Sequence, residues 1–359
     1  MGSFKDSILS GKAYILMIFL QFGFAGMYTI SVFSLKRGMN HYVLVVYRNL
    51  SATIFITPFA YFFERKIRPK MTVKIFLKVL ALALLEPVLD QNLYYVGAKL
   101  TSAGFSTALF NILPALTFVI AIILRMEKIK IKSLYTQAKI AGTVVTVAGA
   151  LVMILYQGPN LPFPWDKPTD ADSDANANNG DFVKGTLLLF CACLSWASFF
   201  VLQSNTLASY PAEMSLTTAI CFMGTVESSI VTLVMEKGAT EPWIIGWDLR
   251  LVTAVYSGIM CSGLAYYVQG IVMKERGPVF VTAFNPLCMI IVAVLGSLFL
   301  NEMISLGKLI GAIIIVIGLY SLIWGKSKDY ALEKLNQSED KSAGGTFELP
   351  VSDTQDHKH

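Results

Sequence analysis

Residues 84–99 read LLEPVLDQNLYYVGAK and place two carboxylates, Glu86 and Asp90, inside an otherwise apolar run. The run extends over about residues 73–93, and about 20 apolar residues are enough for a helix to cross the hydrocarbon core of a bilayer. A charge at the centre of such a helix costs at least about 2.5–3.5 kcal/mol on insertion scales, so it faces protein or water rather than lipid. The stretch therefore predicts a helix that turns a polar stripe towards other helices.

The rest of the chain repeats this alternation of long apolar runs and short charged segments. Of the 359 residues, 55% are hydrophobic and only 15% are charged, whereas soluble domains have about 25% charged residues. Because a lipid-exposed backbone must satisfy its own hydrogen bonds, we predict an all-α integral membrane protein with ten transmembrane helices. The ten runs are 13–33, 43–63, 73–93, 103–124, 137–156, 183–207, 214–235, 247–271, 280–300 and 305–324.

The distribution of lysine and arginine predicts the orientation. With the N-terminus in the cytoplasm, the inner segments hold most of the 29 Lys and Arg residues, as the positive-inside rule requires. Both termini are then cytoplasmic, with residues 1–12 as a short N-terminal segment and residues 325–359 as a polar, disordered tail. The acidic segment 157–182 becomes an outer loop that connects two halves.

The two halves resemble each other at a constant spacing along the chain. The triplet Tyr-Tyr-Val at 94–96 recurs at 266–268, and at the same spacing Pro114 corresponds to Pro286. We therefore predict two five-helix repeats, 13–156 and 183–324. Because each repeat has an odd number of spans, the second enters the membrane upside down, an arrangement that recurs in secondary transporters with a substrate site between the repeats.

Four charged residues lie well within the predicted spans, away from their ends: Arg48, Glu86, Asp90 and Glu227. At a rise of about 1.5 Å per residue they lie roughly 4–12 Å below the outer edge, with Arg48 between Glu86 and Asp90 in depth. Pairing stabilises charges in such a place, so Arg48 is expected to pair with one of these acids. Either the group lines a substrate route, or Arg48 and one acid form a structural clasp and Asp90 reaches the outer interface.

Further candidate residues share helix faces or repeat positions with these charges. Tyr94 follows Asp90 by four residues, and Gln91 borders the same face. Asn111 and Asn285 stand beside the two prolines, which are expected to bend or open their helices next to the cavity. The predicted binding residues are Arg48, Glu86, Asp90, Gln91, Tyr94, Asn111, Trp196, Gln203, Glu227, Tyr266 and Asn285, with Pro114 and Pro286 as hinges.

Catalytic and metal chemistry find little support in the sequence. The three histidines lie outside the apolar runs, and the five cysteines have no metal-ligand spacing, so an intramembrane enzyme would lack a base or a metal cluster. We expect no cofactor, no metal and no nucleic-acid partner. A channel is a further alternative, although channels usually build a filter around a symmetric pore.

Several segments resemble one plant transporter family. They are LQFGFAGM (20–27), YRN (47–49), EPVLDQNLYYVGAKLTSAGFSTALFNILPALTFVIAIILRMEK (86–128), YYVQGIVMKERGPVFVTAFNPL (266–287) and GLYSLIWGKSK (318–328). They are similar to the nodulin-21-like, WAT-related transporters, also called UMAMIT proteins, of the EamA branch of the drug/metabolite transporter superfamily. The resemblance runs from about residue 12 to residue 328.

The resemblance implies a ten-helix inverted-repeat carrier that moves amino acids, often in both directions or as an exporter, at the plasma membrane. Neutral amino acids such as glutamine are the expected substrates. One relative is associated with auxin at the vacuolar membrane, so auxin or another small organic metabolite is the alternative substrate and the vacuolar membrane the alternative location. A nucleotide sugar is less well supported, since it calls for a basic cavity and only one arginine, Arg48, lies well within the predicted spans.

Overall fold

A computed structural model of the chain describes residues 2–101, 106, 109–126, 133–156, 158–159, 179–300 and 306–343. All regular secondary structure in these residues is helical, which confirms the predicted all-α class. The α-helices are α1 (Gly2–Lys36), α2 (His41–Glu64), α3 (Val73–Ala83), α4 (Gln91–Leu100), α5 (Leu113–Ile123), α6 (Leu134–Leu155), α7 (Asn179–Ser209), α8 (Glu213–Met235), α9 (Leu249–Tyr256), α10 (Ala265–Arg276), α11 (Pro278–Thr282), α12 (Asn285–Leu300) and α13 (Leu306–Ala343).

Six helices in the described residues are long and apolar enough to cross a membrane, and two shorter apolar helical segments, Phe110–Ile123 and Pro278–Val292, accompany them. The six are Gly11–Leu35, His41–Glu64, Gly180–Ser209, Glu213–Met235, Leu249–Arg276 and Leu309–Lys328. Large apolar side chains remain on their outer surfaces; Phe62, for example, is 79% exposed. Exposed apolar surface on this scale suits contact with lipid.

Two long helical rods each contain a π-helical segment. The first rod is α3, π1 (Leu84–Asp90) and α4, and the second is α9, π2 (Ser257–Leu264) and α10. In π1, Pro87 lacks the backbone N–H that an α-helix needs in its interior, and a π segment accommodates this interruption. The first half of the chain lies before residue 157 and the second half after residue 182. The spacing that relates Tyr94 to Tyr266 also relates π1 to π2, within one or two residues. The π segment therefore occurs at nearly the same place in both halves.

Helices α2 and α8 correspond at the same spacing, and they pack against each other in opposite directions. At one end, the Glu64 carboxylate accepts hydrogen bonds from the backbone N–H groups of Met214 and Ser215 at 2.9 and 2.7 Å. At the other end, Asn40 Nδ2 donates to Glu236 Oε1 at 2.7 Å. The last turn of each helix therefore meets the first turn of the other.

Helices α6 and α13 form a second antiparallel pair in which the two backbones approach closely. A Cβ atom on Gly142 would lie 2.5 Å from the backbone nitrogen of Leu322, and one on Gly149 would lie 2.9 Å from that of Ile315. Small residues allow such an approach between membrane helices. The pair joins the last long helix of the first half to that of the second.

The first helix of each half packs on the other half. Helix α1 lies against π2 and α12, whereas α7 lies against π1, α4 and α5. The main core is formed where these contacts meet, and its fully buried side chains include Leu20, Phe199, Phe200 and Phe280. This exchange places the interface between the halves, rather than the interior of either, at the centre of the molecule.

Two predicted segments differ from the structure. The chain after Trp324 was expected to be disordered, but α13 continues to Ala343. Residues 326–343 contain no glycine or proline and include the helix formers Ala, Leu, Glu and Lys, so the helix persists up to the Gly-Gly pair at 344–345. The outer loop was expected to end at residue 182, but α7 begins at Asn179; residues 160–178 of that loop lie outside the described residues.

Candidate functional site

A cavity lies between the two rods and helices α1, α2 and α7. Its lining combines a few charged and amide side chains with many aromatic ones. The lining residues are Phe24, Met27, Tyr28, Arg48, Glu86, Asp90, Gln91, Tyr94, Tyr95, Phe110, Trp196, Cys261, Tyr266 and Gln269. An apolar wall with a few convergent polar groups is typical of small-molecule sites.

A smaller cavity adjoins the first. The two share Tyr28, Tyr94 and Phe110, whose rings are in contact: the Tyr94 centroid lies 6.0 Å from that of Tyr28 and 5.1 Å from that of Phe110. Asn111 and Asn285 line the smaller cavity, beside the two predicted hinges. An aromatic partition therefore separates a charged chamber from an amide-lined one.

Arg48 and Glu86 form the ion pair at the polar side of the larger cavity. Arg48 Nη2 lies 3.6 Å from Glu86 Oε1, and the two residues are 6% and 3% exposed. Arg48 Nε also donates to Ser262 Oγ on π2 at 2.8 Å. The remaining acceptor capacity of Glu86 is filled by Gln91 Nε2, 3.1 Å from both carboxylate oxygens, and by the Tyr266 hydroxyl.

The pair joins the two halves of the chain. Arg48 and Glu86 come from α2 and π1, whereas Ser262 and Tyr266 come from π2 and α10. Hydrogen bonds to a charged partner are roughly twice as strong as neutral ones. The Arg48–Glu86 pair is therefore held by donors and acceptors from both halves, and it closes one side of the cavity.

Asp90 lies one helical turn after Glu86 and has a different environment. Its side chain is 7% exposed, and its Oδ1 atom accepts no hydrogen bond from the described residues. No Lys or Arg nitrogen in that part of the chain lies within 4.0 Å of it. Asp90 is thus a buried carboxylate that lines the cavity without a direct partner among the residues that the structure describes.

The structure brings together most of the residues predicted for the site. Arg48, Glu86, Asp90, Gln91, Tyr94, Trp196 and Tyr266 line the larger cavity, and Asn111 and Asn285 line the smaller one. Gln203 lies behind the wall, where its Nε2 donates to the backbone carbonyl of Tyr266 at 3.3 Å.

Glu227 lines neither cavity. On α8 the buried stripe runs through Ile220, Gly224 and Ser228, and Gly224 faces Pro87 of π1. Glu227 precedes Ser228 and is rotated about 100° from it around the helix. Depth along a span was the only information behind the prediction, and depth does not specify which face a residue occupies.

The two predicted hinges begin helices rather than bend them in the middle. Pro114 is the second residue of α5, directly after a 3₁₀ turn (Phe110–Ile112), and Pro286 is the second residue of α12, after a break that follows α11. Proline is well tolerated in the first turn, because the N–H groups there have no intrahelical partner. Each proline therefore follows an interruption of its helix beside the smaller cavity.

Several lining residues were not singled out by the sequence, although a signal existed for some. Tyr28 follows Phe24 by four residues, and Gln269 follows Tyr266 by three, so each shares a helix face with its neighbour. Ser262, which receives the Arg48 hydrogen bond, occupies the position in the second half that is equivalent to Asp90 in the first. Among the described residues, no group of three or more His, Cys, Asp or Glu side chains is arranged to hold a metal ion.

Comparison with known proteins identifies the family. The sequence pattern of the EamA-like transporter family matches residues 11–155 and 183–324. Two relatives come from Arabidopsis thaliana. WAT1-related protein At2g39510 is 52% identical, and the match covers 96% of this chain and 91% of the relative. WAT1-related protein At2g37460 is 50% identical, and the match covers 99% of this chain and 94% of the relative.

A solved structure, described as "Crystal structure of protein", shares the fold with a TM-score of 0.65 at 14% identity, covering 87% of this chain and 98% of its own. The fold, the two matched segments and the near full-length relatives agree. The chain is a member of the EamA-like transporter family and belongs with its WAT1-related proteins.

Proposed function

We propose that the protein is an alternating-access carrier of ten membrane helices, arranged as two inverted five-helix repeats at 13–156 and 183–324. The family pattern matches the chain in two segments, and corresponding helices of the two halves, α2 with α8 and α6 with α13, run antiparallel. The matched positions of π1 and π2 add a third correspondence. An inverted repeat is the usual basis of exchange between inward- and outward-open states in secondary transporters.

The observation that carries this proposal is the cavity between the halves. Its acidic residues come from π1, and its second-half lining comes from α7, π2 and α10. A movement of one half against the other changes the exposure of a site that both halves build. A ligand that prefers one arrangement shifts the population towards it.

We propose amino acids as the substrates, neutral ones such as glutamine first, moved by facilitated export or in both directions. The cavity has an apolar wall with a few convergent polar groups, as small-molecule sites do. The lining offers both charge signs, two glutamine side chains and several tyrosines. A zwitterion with a polar side chain needs this combination of partners.

We place the protein in the plasma membrane, with both termini in the cytoplasm. The vacuolar membrane is the alternative location.

A second candidate substrate is auxin or another small organic metabolite. The aromatic side chains favour it, since Trp196 and Phe110 have ring centroids 5.8 Å apart on the cavity wall and an indole ring stacks well on such a surface. Against it, the described lining holds two carboxylates, Glu86 and Asp90, and one arginine, a balance that disfavours an anion without an ammonium group.

The test is flux through the purified full-length protein in liposomes, with a panel of labelled amino acids, indole-3-acetate and other organic acids. We expect saturable uptake of amino acids and counterflow, in which unlabelled substrate on one side accelerates release of labelled substrate from the other. A channel gives no counterflow. No flux of any amino acid in either direction would contradict the proposed substrate class, whereas flux of indole-3-acetate alone would support the alternative.

A further inference from the structure

We propose that Asp90 is the binding site for the ammonium group of the substrate, so that the cavity selects amines and zwitterions over organic acid anions. This inference rests on the proposed function, because it takes the larger cavity as the transport site. It assigns a specific role to one carboxylate and sets the charge class of the substrate.

The first argument is the balance of charge in the cavity. Arg48 and Glu86 are 3.6 Å apart and largely compensate each other. Of the Asp, Glu, Lys and Arg side chains that the structure describes in the lining, only Asp90 then remains uncompensated, and it carries a negative charge when ionised. An anion that enters meets a like charge, whereas an ammonium group meets an opposite one in a place that water screens poorly.

The second argument is the unused acceptor. Asp90 Oδ1 is buried and accepts no hydrogen bond from the described part of the chain, whereas both oxygens of Glu86 have donors. An ionised carboxylate accepts hydrogen bonds at both oxygens, and an ammonium group offers three donors. Leaving a buried acceptor unsatisfied is costly, so a bound ammonium group supplies what this side chain lacks.

The third argument is the aromatic surface next to Asp90. Tyr94 follows Asp90 by four residues on the same helix face, and Tyr28 packs against Tyr94 with a centroid distance of 6.0 Å. Both rings line the cavity together with Asp90. The faces of aromatic rings attract cations within about 6 Å of the centroid, and this attraction strengthens when the site is dry.

The carboxylate of a zwitterion also has a place to bind. Arg48 Nη2 and Nε are engaged with Glu86 and Ser262, but Nη1 contacts only the Met27 sulfur, at 3.5 Å, among the contacts described for it. A thioether is a weak acceptor, so a carboxylate readily replaces it. The substrate would then span the cavity from Asp90 to Arg48.

The test compares three probes that differ in one charged group each: glutamine, glutaramate, which lacks the ammonium group, and 4-aminobutanamide, which lacks the carboxylate. Binding to the purified full-length wild-type protein is measured by competition with labelled glutamine. We expect 4-aminobutanamide to compete and glutaramate to compete at least about tenfold more weakly. This comparison needs no variant and is therefore independent of effects on folding.

The variant Asp90→Asn, checked for an unchanged thermal melting profile, should bind glutamine at least about tenfold more weakly and lose the preference for the amine probe. Asp90→Glu, which keeps the charge, should recover part of the affinity. Asp248→Asn serves as the control for neutralising a carboxylate, because Asp248 is at the exposed start of α9, outside the cavity, and pairs with Arg250. It should leave the three affinities unchanged.

The outcomes separate this inference from the proposed function. If wild-type protein carries glutamine and Asp90→Asn binds it equally well, Asp90 does not hold the ammonium group, and the amino-acid carrier stands. If glutaramate competes as well as 4-aminobutanamide, the charge selectivity is wrong. If wild-type protein carries amines in an Asp90-dependent manner but no amino acid, the inference stands and the proposed substrate class fails.

Discussion

At the scale of the residue, the site is organised by how the structure compensates a buried charge. Arg48 and Glu86 form an ion pair that also contacts Ser262 and Tyr266 of the other half, whereas Asp90 has no direct partner in the described part of the chain. Two carboxylates four residues apart on one rod therefore have different environments. Glu86 contributes to the interface between the halves, and we propose that Asp90 binds the ligand.

The first prediction concerns the ion pair. Arg48→Met keeps a long side chain but leaves Glu86 without its cation, and breaking a buried pair in this way costs about 3–5 kcal/mol. The double variant Arg48→Met with Glu86→Gln removes both charges and should recover most of that loss. Unfolding free energies in detergent micelles measure both effects. A cost below about 1 kcal/mol for Arg48→Met, well under the usual loss for a broken buried pair, would show that the pair does not stabilise the fold.

The second prediction concerns the hydroxyl that reaches Glu86 from the other half. Tyr266→Phe removes this donor and keeps the ring, and hydrogen bonds to charged groups contribute about 1.5–3 kcal/mol. Tyr267→Phe is the matched control, since no hydrogen bond of the Tyr267 hydroxyl occurs within the described residues. We expect a clear drop in melting temperature for the first variant and a small one for the second. Equal drops would contradict the cross-half role of Tyr266.

The sequence predicted this residue-scale picture only in part. Counting the helical rise from the ends of the spans placed Arg48 level with Glu86 and Asp90, and the structure pairs Arg48 with Glu86. The same count placed Glu227 at a similar depth but did not give its direction around α8. Ser262 is an ordinary small polar residue in sequence, and only the three-dimensional structure brings it to Arg48.

At the scale of the element, the π segments determine how the rods meet their neighbours. The apolar runs predicted the rods but not their π segments, and nothing in the hydropathy of residues 257–264 distinguishes a π segment from an α-helix. The wider turn of a π segment, with its i→i+5 hydrogen bonds, changes which side chains of the helix face inward. Such turns in α-helices are frequent at functional sites.

The third prediction tests the contact between π2 and α2. A Cβ atom on Gly258 would lie 2.3 Å from the backbone oxygen of Arg48, and backbone cannot yield as a flexible side chain can. Gly258→Ala should therefore destabilise the fold by about 1–3 kcal/mol or more, as overpacking does, and displace Arg48. Loss of melting temperature together with reduced flux is the expected result.

Gly270→Ala in the same rod is the matched control. Its Cβ atom would meet Leu207 Cδ1 at 3.4 Å, an ordinary contact, and alanine favours helix by about 1 kcal/mol over glycine. Its melting temperature should stay the same or rise. If both variants melt alike, the close approach of π2 to α2 has no energetic weight, and the position of Arg48 does not depend on it.

At the scale of the whole molecule, the two halves exchange contacts across their interface. Helix α1 packs on the second half and α7 on the first, and Glu64 and Glu236, which occupy equivalent positions in the two halves, each hold the beginning of the other half's helix. The sequence predicted a repeat, because matching residues recur at a nearly constant spacing. The sequence did not predict that α1 and α7 each pack on the other half, because this depends on which surfaces of the helices face each other.

The fourth prediction tests the inverted arrangement directly. The turn after α2 and the turn after α8 occupy equivalent positions in the two halves, so an inverted repeat places them on opposite sides of the membrane. Lys66→Cys and Ala239→Cys mark these turns at exposed residues, in a Cys191→Ser background because Cys191 is exposed whereas the other four cysteines are buried. A membrane-impermeant maleimide on intact cells should label Ala239→Cys and leave Lys66→Cys unlabelled until the cells are opened.

Lys328→Cys, exposed on α13, marks the proposed cytoplasmic side and should behave like Lys66→Cys. Labelling of both turns from outside would place the ends of α2 and α8 on one face, although the contacts of Glu64 and Asn40 require these helices to run antiparallel. The inverted repeat would then be wrong, and with it the carrier mechanism. A complete reversal, with Lys66→Cys and Lys328→Cys labelled and Ala239→Cys protected, would preserve the inverted repeat and overturn only the cytoplasmic placement of the termini.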